Sequence, residues 1–154
     1  MAEEGLLKDP DCKTLIKHCI RTATETSGYH FTAHYRTKEV EDLTRNITNK
    51  SQYHKFCSQN FRHEHIVPCQ VIYEMLLGLT SPNHENIEHL LTKFCIRATI
   101  TIEDDKQLIA HKLNSKMPNE FYTKSAGAEE LFQNPFARYL VAGIYDKLVK
   151  TTNV

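Results

Sequence analysis

The chain has 154 residues, the length of one domain, and its 19 acidic and 19 basic side chains give a formal net charge of zero. This balance excludes a protein that coats nucleic acid by bulk attraction, but it permits a local basic patch. No apolar run approaches the roughly 18 residues of a membrane span, and the first residues lack an apolar segment behind a basic start. We therefore expect neither a membrane partner nor a signal peptide.

Cysteine and histidine are the residue types in the composition that bear on chemistry. The five cysteines are odd in number and widely spaced, which is typical of reduced thiols and favours a cytoplasmic protein. The nine histidines are many for this length and direct attention to metal or proton chemistry. No repeat, low-complexity tract or linker divides the chain, so a single domain over residues 1–154 is predicted.

The N-terminal part of the chain begins with a predicted helix. Asp9 before Pro10 is a helix start, and the apolar residues behind it recur at helical spacing until Gly28 ends the run. Residues 29–35 alternate weakly, which predicts either a short strand or a loop.

The middle of the chain is predicted to hold further helices and one clear strand. Thr37 caps a helix that extends to Ile47, and a restart is predicted at Ser51. Residues 71–79 are too apolar to face water all round, which predicts a buried helix, and a second short helix follows it. Residues 95–102 alternate β-branched and polar side chains and predict a strand.

The last third is predicted to contain two helices. Acidic residues at 103–105 open the first, where the helix dipole stabilises them, and it is predicted to end near residue 117. A loop over 118–128 leads to the final helix, which Asn134 caps and whose apolar face runs from Phe136 to Leu148. This face is predicted to lie in the core or, as the alternative, to form a homodimer surface.

The segment FRHEHIVPCQ, residues 61–70, is the main chemical signal of the sequence. In the simplest interpretation it is an ordinary strand. Ile66 and Val67 then lie in the core, and His63 and His65 project from a solvated face.

A structural zinc site is a second interpretation of the same segment. Zinc accepts two thiolates and two imidazoles in tetrahedral geometry. The segment offers that set within 13 residues, namely Cys57, His63, His65 and Cys69. Their spacing lacks the paired arms of zinc fingers.

A third interpretation rests on a family resemblance. The run EHIVP, residues 64–68, resembles the acid–His–aliphatic–aliphatic–Pro signature that opens the HNH, or ββα-metal, nuclease motif. The resemblance implies metal-dependent hydrolysis of phosphodiester bonds in nucleic acid, DNA or RNA. With the helices predicted above, it indicates a single α+β, mostly helical domain with a small two-stranded element that bears EHIVP and ATITI.

The resemblance assigns catalytic roles to four positions. His65 would be the general base that takes a proton from the attacking water. Arg62 or Arg97 would bind the phosphate, and Asn86 would orient the base through a hydrogen bond.

The resemblance also implies a divalent ion, Mg or Mn, that polarises the phosphate. Glu64 would be one ligand, Asp105 on the following helix would close the site, and Asp104 and His63 are further candidates. The family closes its motif with a histidine, whereas this chain offers a carboxylate, the oxygen ligand that a hard cation such as magnesium prefers.

A metal-dependent nuclease is therefore the leading hypothesis. The alternative is a non-enzymatic interaction or binding protein that keeps the strand and turn but holds no working ion, or holds zinc structurally.

Overall fold

The computed structural model describes residues 9–23 and 33–151. Its helices are α1 (Pro10–Ala23), α2 (Lys38–Thr44), α3 (Lys50–Asn60), α4 (Cys69–Leu77), α5 (His84–Phe94), α6 (Ile102–Ala110), α7 (Asn119–Tyr122) and α8 (Ala137–Val141). Its strands are β1 (Tyr35–Thr37), β2 (Phe61–His65), β3 (Arg97–Thr101) and β4 (Leu148–Lys150), and 3₁₀ turns cover Glu129–Leu131 and Tyr145–Lys147. The predicted α+β, mostly helical class is confirmed.

The four strands form one mixed sheet in the order β2-β3-β1-β4. β2 runs antiparallel to β3, with His65 opposite Arg97 and Phe61 opposite Thr101. The predicted pairing of the EHIVP strand with the ATITI strand is therefore present. β1 extends the sheet in parallel to β3, and β4 pairs antiparallel with β1.

Strand alternation fixes which side chains of β2 share a face. Phe61, His63 and His65 point to one side of the sheet, and Arg62 and Glu64 point to the other. All five residues of β3 are buried, because this strand is interior to the sheet and both of its faces are covered. The face that carries the histidines is thus not the solvated one of the simplest interpretation.

The end of β2 is fixed by two adjacent apolar residues that enter different parts of the core. Ile66 packs with residues of β3, α6 and α8, whereas Val67 packs with residues of α1, α4 and α5. Both side chains are fully buried, as predicted from the sequence. Burial of two such side chains stabilises this position of the chain by about 3–6 kcal/mol.

Helix starts follow the local chemistry of the sequence. The Asp9 carboxylate accepts from the backbone N–H groups of Asp11 and Cys12 at 2.9 and 3.2 Å, so the predicted cap of α1 is confirmed. Asn49, rather than Ser51, caps α3 through its side chain. Thr37 precedes α2 as predicted, but its side chain makes no capping hydrogen bond.

Three predicted helices are longer than the observed ones. α2 ends at Thr44 rather than Ile47. α6 ends at Ala110 rather than near residue 117, and the chain turns at Lys112, where φ is 58°. The final helix does not reach Leu148, because α8 ends at Val141 and Gly143 adopts a φ of 68° that favours glycine.

The remaining predictions concern loops and the ends of the chain. The predicted loop over 118–128 contains the short helix α7. Gly28 and residues 29–32 lie outside the described residues, and of the described residues 33–35, Tyr35 belongs to a strand. Within the described part, no helix is long and apolar enough to cross a membrane.

Candidate functional site

A pocket of about 330 Å³ lies at the end of β2, where the EHIVP segment turns into α4. Separate parts of the chain build it, since α1, β2, α4, the segment after α6 and α8 all contribute. The side chains that bear on its chemistry are Lys17, Arg21, Glu64, His65, Asn114 and Arg138.

Arg138 holds the end of β2 in place. Its guanidinium is buried and donates to the backbone carbonyls of Ile66 at 2.5 Å, His65 at 2.6 Å and Leu113 at 2.9 Å. The same group lies 3.0 Å from the Glu64 carboxylate. A planar guanidinium with five donors can satisfy this many acceptors at once, which an ammonium cannot.

Glu64 is held by two partners from α8. The Tyr139 hydroxyl donates to its carboxylate, and Arg138 forms the ion pair with it. Burial raises the pKa of Glu64 above its ordinary value, while Arg138 and Tyr139 oppose that rise because both stabilise the charged form. Burial likewise keeps the pKa of Tyr139 well above its ordinary value, so its hydroxyl remains a donor.

His65 is half-buried, and its Nε2 atom is buried without a hydrogen-bond partner among the described residues. Burial lowers the pKa of His65 from 6.5 to about 4, and the positive charges of Arg97, Arg21 and Arg138 contribute to that shift. The imidazole is therefore neutral at pH 7 and can accept a proton. Its weak basicity is a consequence first of burial and then of the surrounding cations.

Arg97 lies opposite His65 on the same face of the sheet, but it is buried, with 1% of its surface exposed. It therefore acts on the histidine through its charge and does not reach outward to a phosphate. Its backbone N–H donates to Nδ1 of His34 at 3.2 Å. The neighbouring His63 places its Nδ1 3.2 Å from the Thr99 hydroxyl of β3.

The predicted metal ligand Asp105 lies on the other face of the sheet, with Glu64 and Arg62. Its carboxylate is 3.6 Å from the exposed Arg62 guanidinium, and its negative charge contributes to the raised pKa of Glu64. Glu64 and Asp105 are therefore close enough to interact electrostatically. Strand alternation directs Glu64 away from the face that His63 and His65 occupy.

Asp104 and Asn86 are engaged elsewhere. Asp104 is buried, forms a capping box with Thr101 and accepts from the Lys147 ammonium at 2.6 Å. Asn86 is exposed and donates to the Ser81 carbonyl at 2.9 Å, in the turn before α5. The structure therefore commits these two groups to local roles.

The donor groups do not fit the implied metal ion. Among the described residues, no three His, Cys, Asp or Glu side chains converge on a point that could hold one. Glu64 is already paired with Arg138, and Asp104 is already paired with Lys147. The four zinc candidates are also separated, because Cys57 and Cys69 belong to different core clusters.

The residues that surround His65 in space were not predicted from the sequence. Lys17 and Arg21 lie one turn apart on α1, where the sequence pattern predicts a helix and no site. Arg138 lies in the apolar run FARYLV, where a lone arginine is the signal of a buried, hydrogen-bonded charge. His34 was not singled out, and no local pattern marks it.

Comparison of the chain with models of protein families, with curated proteins and with solved structures finds no match. The resemblance to HNH nucleases therefore stays a prediction, and the functional argument depends on the geometry of this pocket.

Proposed function

We propose that the chain hydrolyses phosphodiester bonds of nucleic acid at the pocket at the end of β2, with His65 as the general base. The observation that carries the proposal is the buried, unpartnered Nε2 of His65 among the described residues, in a pocket with cationic side chains. A buried polar atom without a partner costs about 1–3 kcal/mol, so its presence calls for a functional or solvent partner.

Lys17 and Arg21 are the cations of this pocket that a phosphate can reach. Arg21 is exposed and Lys17 is half-buried, whereas Arg138 is already satisfied by carbonyl groups and Glu64. In the proposal Arg21 and Lys17 bind the non-bridging oxygens of the phosphate. A water molecule attacks phosphorus as one of its protons moves to His65. The bond between phosphorus and the leaving oxygen breaks, and the leaving oxygen takes a proton from solvent.

Substrate binding strengthens the base in this scheme. The charges of Arg97, Arg21 and Arg138 contribute to the low pKa of His65, and an anionic phosphate beside the ring offsets them. The basicity of the imidazole therefore rises when the pocket is filled.

The family resemblance also predicts a divalent ion, which would be magnesium or manganese. Because the described donor groups do not converge, the steps above use only the side chains of the chain. Dependence on an ion is decided by the assay below.

The second candidate function is nucleic-acid binding without cleavage. It is favoured by the Glu64–Arg138 ion pair, in which the predicted ligand is neutralised by a buried arginine. In that case the pocket binds a phosphate, and His65 contacts the nucleic acid without acting as a base.

The test is cleavage of plasmid and single-stranded nucleic acid with magnesium, manganese or a chelator. Wild type is compared with His65→Gln and with His111→Gln, a control at an exposed histidine at the end of α6. Cleavage by wild type and His111→Gln but not by His65→Gln supports the proposal. Equal cleavage by all three proteins places the base elsewhere, and inert proteins that still bind nucleic acid support the second candidate.

A further inference from the structure

The side chains of the pocket are divided by charge between the elements that build it. Two of the three cations, Lys17 and Arg21, come from α1, and the third, Arg138 of α8, is paired with Glu64. Neutral amide and hydroxyl groups come from other parts of the chain, with Gln70 in α4 and Asn114 and Ser115 after α6. A ligand with one anionic group and one neutral polar edge matches this division.

The size of the pocket limits what enters it. Its volume of about 330 Å³ is at the lower end of the range of roughly 300–1,000 Å³ that is usual for small-molecule sites. One nucleotide is a ligand of this scale. The bases of a duplex are stacked and paired, and extruding one of them costs a few kcal/mol.

We propose that the pocket takes one unpaired nucleotide of a single-stranded nucleic acid, with its phosphate on Lys17 and Arg21. The edge of its base meets the amides of Gln70 and Asn114 and the hydroxyl of Ser115. This inference rests on the proposed function, because His65 lines the same pocket.

Hydrogen bonding, rather than stacking, recognises the base in this arrangement. No Phe, Tyr or Trp side chain lines the pocket among the described residues, so it lacks the broad stacking platform of proteins that bind single strands without preference. Amides and hydroxyls can both donate and accept, and they read the edges of unpaired bases. We therefore expect a preference among bases as well as a preference for single strands.

Binding is tested by fluorescence anisotropy with end-labelled 12-nucleotide DNA and RNA strands and with the DNA duplex of the same sequence. His65→Gln is the protein used for binding, so that cleavage does not consume the probe, and wild type in chelator is measured beside it. A Kd at least ten times lower for either single strand than for the duplex is expected, and the DNA and RNA probes show which sugar is preferred.

Two variants separate the roles of the two sets of side chains. Arg21→Gln is expected to weaken the binding of every strand. It should also reduce the slope of log Kd against log salt concentration by roughly 0.7, the contribution of one phosphate contact. The double variant Asn114→Ala, Ser115→Ala is expected to keep that slope. It is also expected to equalise the Kd values of four single-stranded probes, each made of one of the four bases. Lys106→Gln, at an exposed lysine outside the pocket lining, is the control and should change neither quantity.

The outcomes separate this inference from the proposed function. Equal or tighter binding of the duplex overturns the inference, and His65-dependent cleavage of the duplex leaves the nuclease proposal standing. An unchanged base preference in the double variant overturns the assignment of the base edge. If no probe binds, the inference is overturned, and the nuclease proposal is still decided by His65-dependent cleavage.

Discussion

Replacing Arg138 by methionine is expected to lower the free energy of unfolding by about 3–5 kcal/mol, the usual cost of removing one partner of a buried ion pair. The side chain is 1% exposed, and methionine fills much of its volume without donating a hydrogen bond. The substitution leaves the Glu64 carboxylate without its cation. It also removes the donor from the carbonyls of His65, Ile66 and Leu113.

The measurement is urea unfolding followed by far-UV circular dichroism. Arg45→Met is the matched control, because its ion pair with Asp42 is exposed on both sides and contributes less than about 1 kcal/mol. Glu64→Gln added to Arg138→Met should cost less than the sum of the single changes by about 0.5–3 kcal/mol, since the stranded charge is then absent.

Two results would refute this reasoning. A loss below about 1 kcal/mol in Arg138→Met would show that the guanidinium does not hold the end of β2. Additive effects of the Arg138 and Glu64 substitutions would show that the two groups do not act as a pair.

Because the pKa of His65 is about 4 in the folded chain against 6.5 ordinarily, its stabilising contribution is complete above pH 6.5 and lost as the pH falls through 4. In urea titrations across this range, the free energy of unfolding of wild type should fall by up to roughly 3 kcal/mol more than that of His65→Gln. An equal dependence on pH in the two proteins would contradict the lowered pKa. Thr101→Val breaks the capping box with Asp104 and should lower the free energy of unfolding by about 1–2 kcal/mol in thermal unfolding, while Thr101→Ser should keep most of the stability of wild type. Burial raises the pKa of Cys57 to about 11, so maleimide should label the exposed Cys19 first, and equal rates by mass spectrometry would count against a buried Cys57.

Local chemistry made the starts of several helices predictable. Asp9 before Pro10 begins α1 because a side-chain oxygen and a preset φ act within one turn of chain. The acidic residues at 103–105 lie in the first turn of α6 for a similarly local reason. The apolar pair Ile66 and Val67 also identified core positions, since burial follows from residue type.

The ends of the elements were less predictable, because they depend on contacts with distant residues. Leu148 continues the apolar spacing of the final helix in sequence, yet it starts β4 and pairs with Thr37 of β1. The sequence pattern contains no information on that partner. The same holds for β3, whose polar residues Arg97 and Thr99 are buried because the sheet has neighbours on both sides.

The candidate site shows the same division. The sequence by itself identified His65, Glu64 and the strand that carries them, because a histidine beside an acid and before a chain-turning proline is a local signal. Only the tertiary structure decided what surrounds them, since Arg138 reaches the end of β2 from 72 residues away and α1 brings Lys17 and Arg21 to the same pocket. The basicity of His65 and the partners of Glu64 are properties of that surrounding, because electrostatic forces and burial act through space and not along the chain.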